Sequence, residues 1–156
     1  MNQDIHLKSE AETALLAQCL KPVLQAGDQI FLSGDLGAGK TAFARAFIQA
    51  HMQDHGAIED VPSPSFTLVQ TYEFEALDIW HVDLYRLETA ELHELGLEDA
   101  FEDALVLIEW PDRLASAFEP TLSINLMLSD DGARFAQLDT NNAGVAAAIK
   151  EFSGEP

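Results

Sequence analysis

The placement of apolar and polar positions along the chain switches repeatedly between helical and strand periods. Ser9 and Glu12 form the S-x-x-E pattern of a helix start. Behind them Leu15, Leu16, Cys19, Leu20, Val23 and Leu24 recur at helical spacing. Pro22 lies inside that run, so the helix kinks or ends there. Gly27-Asp28 reads as a turn and "QIFLS" (29–33) as a short buried strand. "KTAFARAFIQAHM" (40–52) puts Phe43, Ala46, Phe47 and Ala50 on one face of a second helix. The segment "VPSPSF" (61–66) is a proline-punctuated loop. "TLVQTYEF" (67–74) and "LDIWHVDL" (77–84) read as two paired strands.

Further along, "TAELHELGLEDAF" (89–101) is a short helix with a turn, in which Thr89 can cap and Leu92 and Leu95 face inward. "ALVLIEW" (104–110) is an apolar run of strand length, the pattern of a strand covered on both faces. "TLSINLMLS" (121–129) and "RFAQLD" (134–139) alternate in period two, and "DDGA" between them turns the chain into a hairpin. "NAGVAAAIKEF" (142–152) is a closing helix. Strands and helices interleave, so the predicted class is α/β, with a central mixed, largely parallel sheet flanked by helices. At 156 residues the length fits one domain, and 47% hydrophobic residues suffice for a core.

One stretch changes the picture from fold to chemistry. Residues 34–41, "GDLGAGKT", fit G-x-x-x-x-G-K-[ST], after a predicted strand and before a predicted helix. Glycines let main-chain amides converge on an anion, and the helix start adds the positive end of its dipole. Lys40 reaches the β- and γ-phosphates, and the Thr41 hydroxyl suits magnesium, a hard ion that prefers oxygen. A nucleotide's magnesium also needs an acid at a neighbouring strand end. Glu109 ends "ALVLIE" and Asp83 ends "LDIWHVD". Either can ligate the ion, hold it through water, or orient the attacking water, and the sequence does not divide these roles. Trp110 either shelters the site or caps the core, while Ser63 and Ser65 lie in a loop that is either switch-like or a rigid connector. His81 reads as a packing residue. His51 and His55 lie four apart on a helix but lack a third ligand.

Charge bounds the partners. The chain has 27 acids against 8 bases, a net charge of −19. Such a surface repels RNA and DNA in bulk, so no strong direct nucleic-acid binding is expected; it can attract a basic protein partner. The acidic field does not contradict an anion site, because at physiological salt it is screened beyond roughly 8 Å, whereas the loop acts through local main-chain geometry. A single cysteine, Cys19, excludes an intramolecular disulfide, no run approaches a membrane span, and no leader pattern opens the chain. The expected address is the cytoplasm.

"GDLGAGKT", "SPSFTLV", "HVDLYRL", "ELGLEDAF" and "LIEWPDR", in this order, resemble the bacterial TsaE (YjeE) family over about Ser9 to Arg134. Its members are small P-loop ATPases needed for threonylcarbamoyladenosine modification of tRNA. The resemblance implies a single P-loop NTPase domain over 1–156 that uses ATP and Mg2+. It makes Gly37, Ala38, Gly39, Lys40 and Thr41 the nucleotide-binding loop, Thr41 and Glu109 magnesium-site residues, and Asp83 a neighbour needed for hydrolysis. "SPSF" matches a switch-like segment that is usually S-P-T, with Ser65 in the threonine's place, and Ala42 stands where relatives often carry a second threonine. Glu10 and Thr13 of "SEAET", together with Arg134, match positions near the nucleotide. Trp110 follows Glu109 in the E-W-P block. The resemblance also implies a TsaD–TsaB complex as partner. The rival from the same loop is a small-molecule or nucleotide kinase, but Arg45, Arg86, Arg113 and Arg134 are scattered and form no basic lid. No N-K-x-D segment reads guanine, which leaves adenine favoured.

Overall fold

A computed structural model describes residues 1–154. The elements run β1 (Asn2–Leu7), α1 (Glu10–Leu20), β2 (Gln29–Ser33), α2 (Lys40–Gln53), β3 (Val69–Glu73), β4 (Asp78–Asp83), α3 (Leu97–Asp103), β5 (Leu105–Glu109), β6 (Leu122–Leu128), β7 (Arg134–Thr140) and α4 (Ala143–Ser153). All seven strands join one sheet, in the order β1-β7-β6-β2-β5-β4-β3. The β6–β2, β2–β5 and β5–β4 pairings are parallel, and the three outer pairings are antiparallel. The expected mixed α/β sheet is therefore present, with its parallel part at the centre. Among the described residues no helix is long and apolar enough to cross a membrane.

Period-two alternation decides which layer each strand residue enters. Ile30 and Leu32 of β2, Leu105 and Leu107 of β5, Ile79 of β4 and Ile124 of β6 point into a large core with α1, α2 and α4. Their sequence neighbours Phe31, Val106, Ile108 and Val82 point the other way, into a smaller core with α3. β5 is buried at all five positions because it is the strand covered on both faces. α3 covers β2, β5 and β4 only. On β6, β7 and β1 the second face is open, and there Met127, Phe135 and Gln137 are exposed while Leu126, Ala136 and Leu138 beside them are buried. This is why that hairpin alternates so cleanly in sequence.

Most predicted elements fall where the pattern puts them. α1 begins on Ser9, whose hydroxyl accepts the Glu12 amide, and ends at Leu20. Pro22 has no amide hydrogen for the next helical bond, and Lys21–Val23 tightens into a 3-10 turn. Two expectations need correcting. Thr89 caps no helix: it is exposed, and its neighbour Ala90 exchanges main-chain hydrogen bonds with Arg113 and Ala115, which takes the segment into a bridge. The helix starts instead after Gly96, at φ 72°. The second difference is β1, a strand that the sequence pattern leaves unassigned. It adds six residues antiparallel to β7, with Ile5 and Leu7 buried.

Candidate functional site

The parallel centre of the sheet places the site. β2 ends at Ser33, and the chain turns through Gly34–Gly39 into the first turn of α2. Gly34 (φ 139°), Gly37 (φ 80°) and Gly39 (φ 112°) adopt backbone angles that side chains disfavour. The first amides of α2 have no acceptor inside the helix and point out of its start, where the dipole also favours an anion. The loop is braced from behind by Arg134 of β7. Its Nε donates to the Ala38 carbonyl at 2.8 Å and one terminal nitrogen donates to the Gly37 carbonyl at 3.4 Å. These bonds tie two of the loop's carbonyls to β7, and the Ala38 amide donates to the Asp35 carbonyl at 3.1 Å.

The two acids arrive by register. Asp83 of β4 and Glu109 of β5 are paired neighbours at the C-terminal ends of adjacent parallel strands, the usual ligand side of such a sheet. Glu109 is only 2% exposed. The Thr41 hydroxyl lies 2.8 Å from its Oε1 and 3.1 Å from its Oε2. Asp83 Oδ1 accepts the Tyr85 amide at 2.9 Å, and Oδ2 accepts the Ser65 hydroxyl at 3.3 Å. Ser65 in turn is 2.8 Å from Ser63.

Lys40 is buried at the cleft floor, where its Nζ donates to the carbonyls of Gly34 (2.5 Å) and Asp35 (2.7 Å). Burial pulls its pKa below the ordinary lysine value, and the charges of Glu109, Asp83, Asp35 and Asp112 oppose that shift. The Trp110 ring centroid is 4.4 Å from Nζ, a cation–π contact. That ring is aimed by the left-handed conformation of Trp110 (φ 61°), one of two non-glycine residues at positive φ among the described residues. Strain of this kind, of order 1–3 kcal/mol, tends to gather at functional sites. Trp110 also packs on the α3 core and against Tyr85.

A cleft of about 280 Å3 joins these groups; Glu10, Gly37, Gly39, Lys40, Thr41, Ala42, Ser65, Asp83, Glu109, Trp110 and Arg134 all line it. Ala38 and Thr13 line an adjoining hollow of about 160 Å3, walled by Leu7 and Leu126 and shared with Glu10 and Arg134. The nucleotide-site candidates from the sequence thus line this cleft or the hollow next to it. Sequence reasoning gives too little weight to Tyr85 and His81. The Tyr85 ring lies tilted against Trp110 at 4.9 Å between centroids, and its amide donates to Asp83. His81 is fully buried, so it does pack, but packing is not its only contact: Nε2 is 2.6 Å from Glu109 Oε2. The signal that could have found it is its spacing, since two residues before Asp83 puts it on the same strand face. His51 and His55 lie near the other end of α2, and no group of three or more ligating residues among the described residues is placed to hold a metal.

Comparison with known proteins agrees with this arrangement. The family model for threonylcarbamoyl adenosine biosynthesis protein TsaE matches residues 7–136. The tRNA threonylcarbamoyladenosine biosynthesis protein TsaE of Rickettsia felis is 40% identical over 139 residues, covering 88% of this chain and 80% of that relative. The Nostoc protein of the same name is 35% identical over 152 residues, covering 93% and 90%. The crystal structure of Bacillus subtilis YdiB superimposes with a TM-score of 0.73 at 25% identity, covering 99% of this chain and 95% of that one. With its loop, paired acids and sheet order in place, the chain belongs to the TsaE family.

Proposed function

We propose that this chain binds ATP with Mg2+ in the cleft and hydrolyses it in support of threonylcarbamoyladenosine formation on tRNA, acting through a TsaD–TsaB-like protein complex. The observation that carries the reading is the direct pairing of Thr41 Oγ1 with the buried Glu109 carboxylate at 2.8 Å, at the mouth of a glycine-rich loop. A hydroxyl and two carboxylates, all hard oxygen donors, suit Mg2+, which is commonly held by one or two carboxylates together with the nucleotide's phosphates. Thr41 and Glu109 would hold it, with Asp83 beside them. Bound there, it would neutralise charge on the phosphates as the terminal bond breaks.

The chain's own groups supply the rest. The first amides of α2 bind the phosphate oxygens. Lys40 exchanges the Gly34 and Asp35 carbonyls for the β- and γ-phosphates. Asp83, held at both oxygens by Tyr85 and Ser65, orients the attacking water and accepts its proton. Trp110 covers the Lys40 ammonium and limits water at the cleft floor. Glu10, Thr13 and Arg134 line the adjoining hollow, whose apolar walls suit the flat adenine base. The acidic surface, at net charge −19, turns the protein towards a protein partner rather than towards tRNA itself.

The test is phosphate release from ATP and GTP, by the chain alone and then with TsaD and TsaB added. Slow ATP hydrolysis that rises with the partners is expected, abolished in Lys40→Ala and Thr41→Ala and reduced in Glu109→Ala through Mg2+. Transfer of phosphate to a small metabolite would instead make the protein a kinase. Complex formation unaffected by high salt would count against an electrostatic interface.

A further inference from the structure

His81 is the one buried polar side chain beside the acids to which the hydrolysis scheme gives no work. It sits on β4 with no exposed surface, facing the same side of the sheet as Asp83. Its register partner is Leu107, so it lies diagonally from Glu109, which pairs with Asp83. Its neighbours on β4 and β5 on that face, Ile79, Leu105 and Leu107, are apolar, while its register partner on β3 is Gln70. A polar ring in such a layer costs free energy that an aliphatic residue avoids. The ring forms one bond, from Nε2 to Glu109 Oε2 at 2.6 Å, and Nδ1 finds no partner among the described residues. An ionised carboxylate can only accept, so against a charged Glu109 the proton of this bond belongs to Nε2.

That bond removes a freedom. The last torsion of a glutamate is broad, so a carboxylate held only by Thr41 has a wide choice of orientations. With Oε2 also held by His81, Oε1 is the oxygen nearer the Thr41 hydroxyl, at 2.8 Å against 3.1 Å for Oε2. We propose that His81 is a positioning residue. It fixes the rotation of the Glu109 carboxylate and so preorganises the Thr41–Glu109 oxygen pair for a divalent cation. This inference deepens the reading of the cleft given above and rests on it for the identity of the cation. Partners behind metal ligands commonly set affinity by 10–100-fold, and a change of that size is expected here.

The experiment compares His81→Leu, which removes the donor, with His81→Gln, whose amide nitrogen has about the reach of Nε2, and His81→Asn, whose amide is too short. ATP affinity is measured by tryptophan fluorescence in EDTA and then as Mg2+ is added. The wild type and His81→Gln should share a Mg2+ midpoint within about threefold, while His81→Leu and His81→Asn shift it upwards by tenfold or more. EDTA affinity should stay within about twofold throughout, because the phosphates are bound by the loop. Crystal structures without nucleotide provide a readout independent of Mg2+. The Thr41–Glu109 contact should persist in His81→Gln and be lost or rotated in His81→Asn and His81→Leu. An unshifted midpoint in His81→Asn, or a Glu109 carboxylate unmoved in it, overturns the inference, as does equal loss of EDTA affinity in all three variants. If the wild type itself ignores Mg2+, the Mg–ATP reading fails, and the crystallographic comparison still decides whether His81 sets the carboxylate.

Discussion

At the scale of single residues, the site depends on a few positions where no other side chain fits. Gly34 is the strictest. Its φ is 139°, and a Cβ built there would stand 2.3 Å from the main-chain oxygen of Leu126. Neither backbone can give way cheaply, since the loop and β6 are both anchored. Gly34→Ala should therefore cost about 3 kcal/mol or more, from backbone strain and overpacking together. The urea midpoint of unfolding measures it, and a variant as stable as the wild type would show that the loop yields. Gly37, by contrast, has nothing within 4 Å of the point a Cβ would occupy, so only its φ of 80° resists a side chain. The motif residues were legible in the sequence because they stand close together at a fixed spacing. His81 was not, because its significance depends on a diagonal contact across two strands, and a lone histidine in an apolar run looks like packing.

At the scale of elements, local signals were reliable where a cap or a breaker is written into the chain. Asn142 stands at the start of the expected closing helix, and the structure makes it the N-cap of α4, with Oδ1 accepting the Val145 amide at 3.0 Å. Asn142→Ala should destabilise the protein by about 1 kcal/mol, and Asn142→Asp should restore most of it, as read from thermal melting. A drop shared equally by both variants would assign the loss to something other than the cap. β1 was unreadable for the opposite reason. Only Ile5 and Leu7 mark its inner face, and the strand exists because β7, more than a hundred residues later, offers it an edge. The same holds for Thr89, a good cap residue whose segment is captured by a bridge to residues near Leu114. In both cases a long-range pairing overrode or supplied what propensity left open.

At the scale of the whole molecule, stability should depend on pH through a histidine far from the chemistry. His51 packs between Phe47 and Phe74, with ring centroids 5.2 and 5.8 Å away, and its Nε2 has no partner among the described residues. Burial, assisted by the charge of Lys21, lowers its pKa from 6.5 to about 4. Between those values the unfolded chain binds the proton and the folded one does not. Stability is therefore complete above pH 6.5 and falls as the pH drops towards 4. The contribution lost between about pH 7 and pH 5 is about 2 kcal/mol. His51→Leu should flatten that part of the profile in urea unfolding, and an identical slope in the variant would assign the acid sensitivity to other groups. The sheet class was legible at this scale because its central strands are continuous apolar runs and its edge hairpin alternates. The β3–β4 and β6–β7 pairings were legible as neighbours in the chain; the rest of the strand order was not, since the remaining pairings join segments far apart in sequence.

The β6–β7 hairpin carries none of the phosphate chemistry, yet it meets the loop twice: the Leu126 carbonyl lies against Gly34, and the Arg134 guanidinium grips the Ala38 carbonyl. Its outer face is the part of the sheet that no helix covers. The loop is in effect clamped to a rigid mount with one bare side. A substitution that distorts this hairpin would therefore disturb the glycines from behind, without touching any group in the cleft.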